Sequence, residues 1–191
     1  MHKGTTHPAA TFAQDGYQVV RSLLDEATCA SVLEHLVKLA RVGILRRPDE
    51  QVPGSPAMYG EPVVEEMLEE LKPVVESITG VSLLPTYSYV RLYRPGASLA
   101  RHQDRDACEI SLTLSLGAAP AWQWPIWIEG FRKTEAVCLA PGDALVYRAI
   151  ECAHWRDAFT GEFAAQAFLH YVDQHGRYTD WKFDKRQALN T

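Results

Sequence analysis

The chain has 191 residues and a formal net charge of −5; 47% of its residues are hydrophobic and 23% are charged. That length can bury one substantial core, and the expectation is a single domain over residues 1–191. The basic residues are scattered as singles and pairs, which argues against a nucleic-acid or anionic-membrane surface, and no apolar run reaches the ~20 residues that a bilayer span needs.

The start, "MHKGTTHPAATF", carries no apolar segment, and residues 1–11 read as flexible. Four cysteines, Cys29, Cys108, Cys138 and Cys152, form no CxxC pair, as expected for free thiols in a cytoplasmic protein. Residues 12–80 read mainly as helical support. "GYQVVRSLL" suggests a short strand. "DEATCASVLEHLVKLAR" then repeats Ala30, Leu33, Val37 and Ala40 at helical spacing behind Asp25 as N-cap. A second helical stretch, "PVVEEMLEELKPVVESITG", contains Pro73, which should kink or divide it, and ends on Gly80. Between them, Arg46–Pro62 holds four prolines and two glycines and reads as a surface loop of the kind that covers a site.

From Val81 the pattern changes to short alternating strands separated by Pro-Gly and Gly turns, through "FAAQAFLHYV". This favours an antiparallel sandwich or jelly roll, and with the helices an α+β class. Residues 173–191 are left as a C-terminal tail.

The chemistry concentrates in "ARHQDRDACEISLTLSLG". Residues i and i+2 of a strand share a face, so His102 and Asp104 can look toward one ion. His154 ends the later stretch "PGDALVYRAIECAHWRD", fifty-two residues after His102. Two imidazoles and a carboxylate on one face of an octahedral metal leave three positions open, as non-heme Fe(II) oxygenases require. The other histidines, His2, His7, His35, His170 and His175, lack a paired carboxylate in a strand and read as structural or solvent-facing.

With "LYRPGASLARHQD", "PGDALVY" and "TGEF" in this order, the chain resembles the Fe(II)- and 2-oxoglutarate-dependent oxygenases, in particular the prolyl-hydroxylase-like branch, over about residues 81–172. The resemblance implies a double-stranded β-helix (jelly roll) with the N-terminal helices packed on its major sheet. It implies a metal held by His102, Asp104 and His154, and Fe(II), 2-oxoglutarate and O2 as cofactor and cosubstrates. It also implies hydroxylation with release of succinate and CO2. The compact size and the lack of a basic stripe favour a small molecule or free amino acid as the substrate. A peptidyl residue as substrate, a jelly-roll metal-binding or sensor protein without turnover, and a zinc hydrolase are the alternatives.

In that fold the leucines of "ISLTLSLG" can face outward under the helices, leaving Ser111, Thr113 and Ser115 to line the barrel, with Thr113 and Ser115 near the cosubstrate. Tyr93 is placed there too. The chain departs from the family at one point: Phe163 stands at or near the position of the basic residue that holds the distal carboxylate of 2-oxoglutarate, and no Lys or Arg follows through Val172. A buried dianion needs a cation. The replacements on offer are Arg156, two residues past His154, and then Arg91, two residues before Tyr93.

Overall fold

The computed structural model of the chain describes residues 8–45, 50–119 and 124–190. Helix α1 (Pro8–Asp15) and strand β1 (Tyr17–Val20) are followed by α2 (Glu26–Arg41), β2 (Ala57–Tyr59), α3 (Pro62–Glu70) and α4 (Lys72–Thr79). Then come β3 (Leu83–Tyr93), β4 (Leu99–His102), β5 (Ile110–Ala119), β6 (Ile126–Glu129), β7 (Thr134–Val137), β8 (Ala144–Tyr147), β9 (His154–Arg156) and β10 (Phe163–Asp173).

Local chemistry sets the helix ends. Asp25 accepts the Thr28 N–H at 2.8 Å and caps α2, and Glu61 caps α3 by accepting the Val64 N–H at 3.0 Å. The second helical stretch divides at Leu71, as its internal proline predicts. Pro73 falls in the first turn of α4, where its missing N–H costs no helical bond. Gly80 closes α4 in the left-handed conformation, φ 71°. Helix α1 begins inside the stretch expected to be flexible. Its anchor is Phe12, fully buried against the helices, and one aromatic gives no periodicity to read.

The strands form two antiparallel sheets, a large one in the order β1-β8-β5-β10-β3-β2 and a small one in the order β4-β9-β6-β7. This is the double-stranded β-helix. Two strands from the segment read mainly as helical support, β1 and β2, complete the edges of the large sheet.

The large sheet turns its apolar face toward the helices. Leu112, Leu114 and Leu116 of β5, Val90 and Leu92 of β3, and Ala165, Ala167 and Leu169 of β10 pack with Leu36, Val64, Leu68 and Val75 in one buried cluster. The alternate residues, Ser111, Thr113, Gln166 and His170, are therefore buried on the side that faces the small sheet.

The turn before β8 locks this arrangement. Asp143 accepts from the N–H groups of Ser22 and Ala140 and pairs with Arg21 at 2.6 Å. Gly142 has φ +84°, and a methyl carbon there would sit 2.2 Å from the Leu24 carbonyl oxygen. Gly142→Ala should therefore lower stability by at least about 2 kcal/mol, seen as an earlier urea midpoint; an unchanged midpoint would mean that the turn rebuilds at no cost.

Candidate metal centre

Strand β4 runs antiparallel to β9 with His102 directly opposite His154, which brings the two rings to 4.3 Å between centroids. Asp104 lies just past β4, its N–H fixed on the Ala149 carbonyl at 2.9 Å. One carboxylate oxygen of Asp104 stands 3.3 Å from Nε2 of His102 and 3.7 Å from Nε2 of His154. Two ligand atoms held at right angles about 2.1 Å from one ion are about 3 Å apart. The three side chains therefore need only small shifts to grip a cation.

Backbone carbonyls orient both rings. Nδ1 of His102 faces the Ala100 carbonyl at 2.8 Å, and Nδ1 of His154 faces that of Cys152 at 3.1 Å. A carbonyl only accepts, so each Nδ1 carries the proton and each Nε2 turns a lone pair toward the common point.

Burial lowers the His154 pKa, outweighing the pull of Asp104, and so favours the neutral ligand form. Burial alone would raise Asp104, but the His102 hydrogen bond and the nearby imidazoles hold it below the usual carboxylate range. At His102 burial works downward, and the bond to Asp104 with the Ala100 carbonyl turns the balance upward.

The three residues open into a cavity of about 180 Å³ walled by Tyr87, Tyr89, Leu99, Ile126, Tyr147 and Phe168. Arg156 lies in its wall, 3% exposed. One guanidinium nitrogen donates to the Trp124 carbonyl at 2.8 Å and the group lies 4.6 Å over the Trp124 ring, while Nη2 has no partner among the described residues. Arg91 lines the same cavity between the rings of Tyr89 and Tyr93.

The other residues expected near the cosubstrate sit further back. Tyr93 is fully buried behind Arg91, edge-on to Trp124. Thr113 donates to Gln166 at 3.3 Å, and Ser115 with Gln166 lines a neighbouring cavity of about 450 Å³. Arg46–Asp49 of the loop between α2 and β2, together with Trp122, lie outside the described residues. Gln51 of that loop reaches the site: its amide nitrogen is 3.0 Å from Nε2 of His102 and its oxygen 3.5 Å from Arg91.

His170 reads from the sequence as structural or solvent-facing, and the structure buries it. It lines the cavity, bonded to Ser111 at 2.8 Å and packed 4.5 Å from the Tyr87 ring. Beside it the Cys108 thiol lies 3.1 Å from the Tyr87 hydroxyl, and Asp104, Cys108 and His170 form a second group of possible ligands. The alternation of β10 carried the signal for His170, since Gln166, Phe168 and His170 fall opposite the alanines and Leu169. Tyr147 was also legible, two residues from Leu145 on the inner face of β8. Gln51 had no such signal.

No protein-family model matches the chain, and no curated protein matches it in sequence. Among solved structures, the chain is similar to the non-heme alpha ketoglutarate dependent epimerase SnoN from nogalamycin biosynthesis, at 18% identity and TM-score 0.73, covering 86% of this chain and 81% of that one. A Pseudomonas putida prolyl-4-hydroxylase is 17% identical with TM-score 0.67, covering 85% of this chain and 96% of that one. HygX from Streptomyces hygroscopicus, with nickel and 2-oxoglutarate bound, is 12% identical with TM-score 0.71, covering 90% and 88%. The chain has the 2-oxoglutarate-dependent oxygenase fold. In this oxygenase fold the two sheets face each other, and the His102, Asp104 and His154 group lies at the ends of β4 and β9.

Burial also holds His170 neutral, its pKa pushed down from 6.5 to about 4. Between those values the unfolded chain binds a proton that the folded protein excludes. The His170 contribution is therefore complete above about pH 6.5 and is lost progressively as pH falls toward about 4. Metal-free His170→Asn should lose less unfolding free energy than the wild type between about pH 7 and about pH 4.5 in urea titrations. Equal losses would mean that His170 accepts its proton inside the fold.

Proposed function

We propose that this protein is an Fe(II)- and 2-oxoglutarate-dependent dioxygenase that hydroxylates a small molecule, releasing succinate and CO2. One observation carries the reading: the cavity that gathers the ligand atoms of His102, Asp104 and His154 also contains a buried arginine with a nitrogen that has no partner among the described residues. A guanidinium held out of water without an anion is costly, and a carboxylate is the partner that fits its planar fork. The donor set suits the metal, and Arg156 suits the distal carboxylate of the cosubstrate in place of the basic residue that Phe163 displaces.

Bound iron would supply open positions for the cosubstrate and O2 and the redox chemistry that oxidises a C–H bond. The chain does the rest. His102, Asp104 and His154 hold the ion, and the Ala100 and Cys152 carbonyls keep the two rings aimed. Arg156 orients the cosubstrate, and the rings of Tyr89, Tyr147 and Phe168 exclude water around it. A cavity of about 180 Å³ suits a small molecule or free amino acid better than a polymer. The four cysteines are free, which fits a cytoplasmic setting. No described helix is long and apolar enough to cross a membrane.

The decisive test is anaerobic addition of 2-oxoglutarate to the Fe(II)-loaded protein. The expected result is a charge-transfer band; tight metal binding without the band would favour a sensor or a zinc hydrolase. Replacing His102, Asp104 or His154 by Ala should weaken Fe(II) binding and abolish succinate formation, with the far-ultraviolet circular dichroism spectrum retained.

Arg156→Met should raise the 2-oxoglutarate requirement at least about ten-fold, since loss of such a pair costs ~2–5 kcal/mol, while Fe(II) affinity changes little. If the requirement stays at the wild-type value in both Arg156→Met and Arg91→Met, neither arginine holds the carboxylate.

A further inference from the structure

After β10 the chain packs beside β3 and the turn Asp106–Cys108, then enters an unusual bend. Phe183, Asp184 and Lys185 take φ values of 52°, 54° and 66° in succession. L-residues avoid this region, and three in a row persist only where the surroundings enforce them.

The bend presents the carboxylate of Asp184. It accepts from both terminal nitrogens of Arg105, at 2.8 and 2.9 Å, and from the Tyr59 hydroxyl at 2.7 Å. The Arg105 guanidinium is held on its faces as well, 4.6 Å from the Tyr87 ring and 5.4 Å from that of Trp181. Tyr59 stacks on Tyr87 at 5.0 Å. Beyond the bend, Arg186 pairs at 2.6 Å with Glu65, whose side chain is fully buried in α3, and the Asn190 N–H donates to the same carboxylate. The segment is thus tied down on the far side of Asp184.

Arg105 directly follows Asp104. On one side of that carboxylate, the Asp104 N–H is fixed to Ala149. On the other, the Arg105 carbonyl takes the Cys108 N–H at 2.8 Å, and the Arg105 side chain ends on Asp184. We propose that Asp184 is a positioning residue for the metal centre: through Arg105 it fixes the loop that carries Asp104, and through Tyr59 it ties β2, which follows the Gln51 loop, to the same point. This rests on the reading of His102, Asp104 and His154 as the metal ligands. Asp184 touches none of them and acts only through Arg105 and Tyr59.

Anaerobic cobalt(II) titration of the full chain, followed by its d–d absorption, tests the proposal alongside thermal unfolding of the same samples. Asp184→Asn keeps the shape and removes the charge, and should weaken cobalt binding about ten-fold with an altered band shape. Arg105→Met should do the same, and the double variant should be no worse than either single one. A lower unfolding midpoint with unchanged cobalt affinity and spectrum would reduce Asp184 to a stabilising contact and overturn the proposal, as would losses that add in the double variant. If Asp184→Asn does not fold, Arg105→Lys decides, because it keeps the cation and loses the fork: weaker binding supports the proposal and wild-type affinity overturns it. A wild-type protein that takes up no cobalt removes the metal-site reading and this proposal together, whereas a wild type that binds and variants that bind equally well remove this proposal alone.

Discussion

The large sheet buries its apolar face outward, under the helices, and everything else about the site depends on that inversion. A sandwich usually fills the space between its sheets with hydrocarbon. Here the helices supply the apolar partner. Leu112, Leu114 and Leu116 meet Leu36, Val64 and Leu68, so the space between the sheets is free to hold serine, threonine, glutamine, histidine and arginine. Several of the polar groups in that space satisfy one another in short chains: Ser111 with His170, Thr113 with Gln166, Tyr87 with Cys108.

In the proposed function the site is rigid where it holds an ion and open-handed where it receives an anion. Both imidazoles are pinned by backbone carbonyls and Asp104 by the Ala149 carbonyl, so metal uptake asks for little rearrangement. Arg156 is held differently, by one carbonyl and one ring, and among the described residues one of its nitrogens has no partner. Such an arrangement discriminates between ligands by charge and shape. A neutral keto compound would leave the guanidinium unpaired, and a dicarboxylate would not.

Much of this was legible in the sequence because strand alternation is a two-residue code. His102 and Asp104 could be read as neighbours, the leucines of β5 as one face and its hydroxyls as the other, and Arg156 as sharing the cavity side with His154. What escaped reading came from three-dimensional closure. His170 has no acidic neighbour in sequence, and its company, Ser111, Tyr87 and Cys108, is assembled from three other parts of the chain. Gln51 reaches His102 from a loop whose composition announces only irregularity. Phe12 secures α1 alone, and a single residue makes no period. Thr113 and Ser115 were assigned to the correct face, yet a face does not fix depth, and both lie away from the cavity that Arg156 enters.

Asp104 belongs to two groups of possible ligands, one with two imidazoles and one with Cys108 and His170. A thiolate in the second group would draw zinc or copper(I) away from an oxygen-and-nitrogen site, because soft ions prefer sulfur. Burial works against this. It pushes the Cys108 thiol up to about 12 and leaves His170 as a neutral ring already engaged by Ser111. Capturing a soft ion there would first require removing a proton that the surroundings retain. The same low-polarity shell keeps an oxidisable sulfur in its less reactive thiol form beside the candidate metal centre.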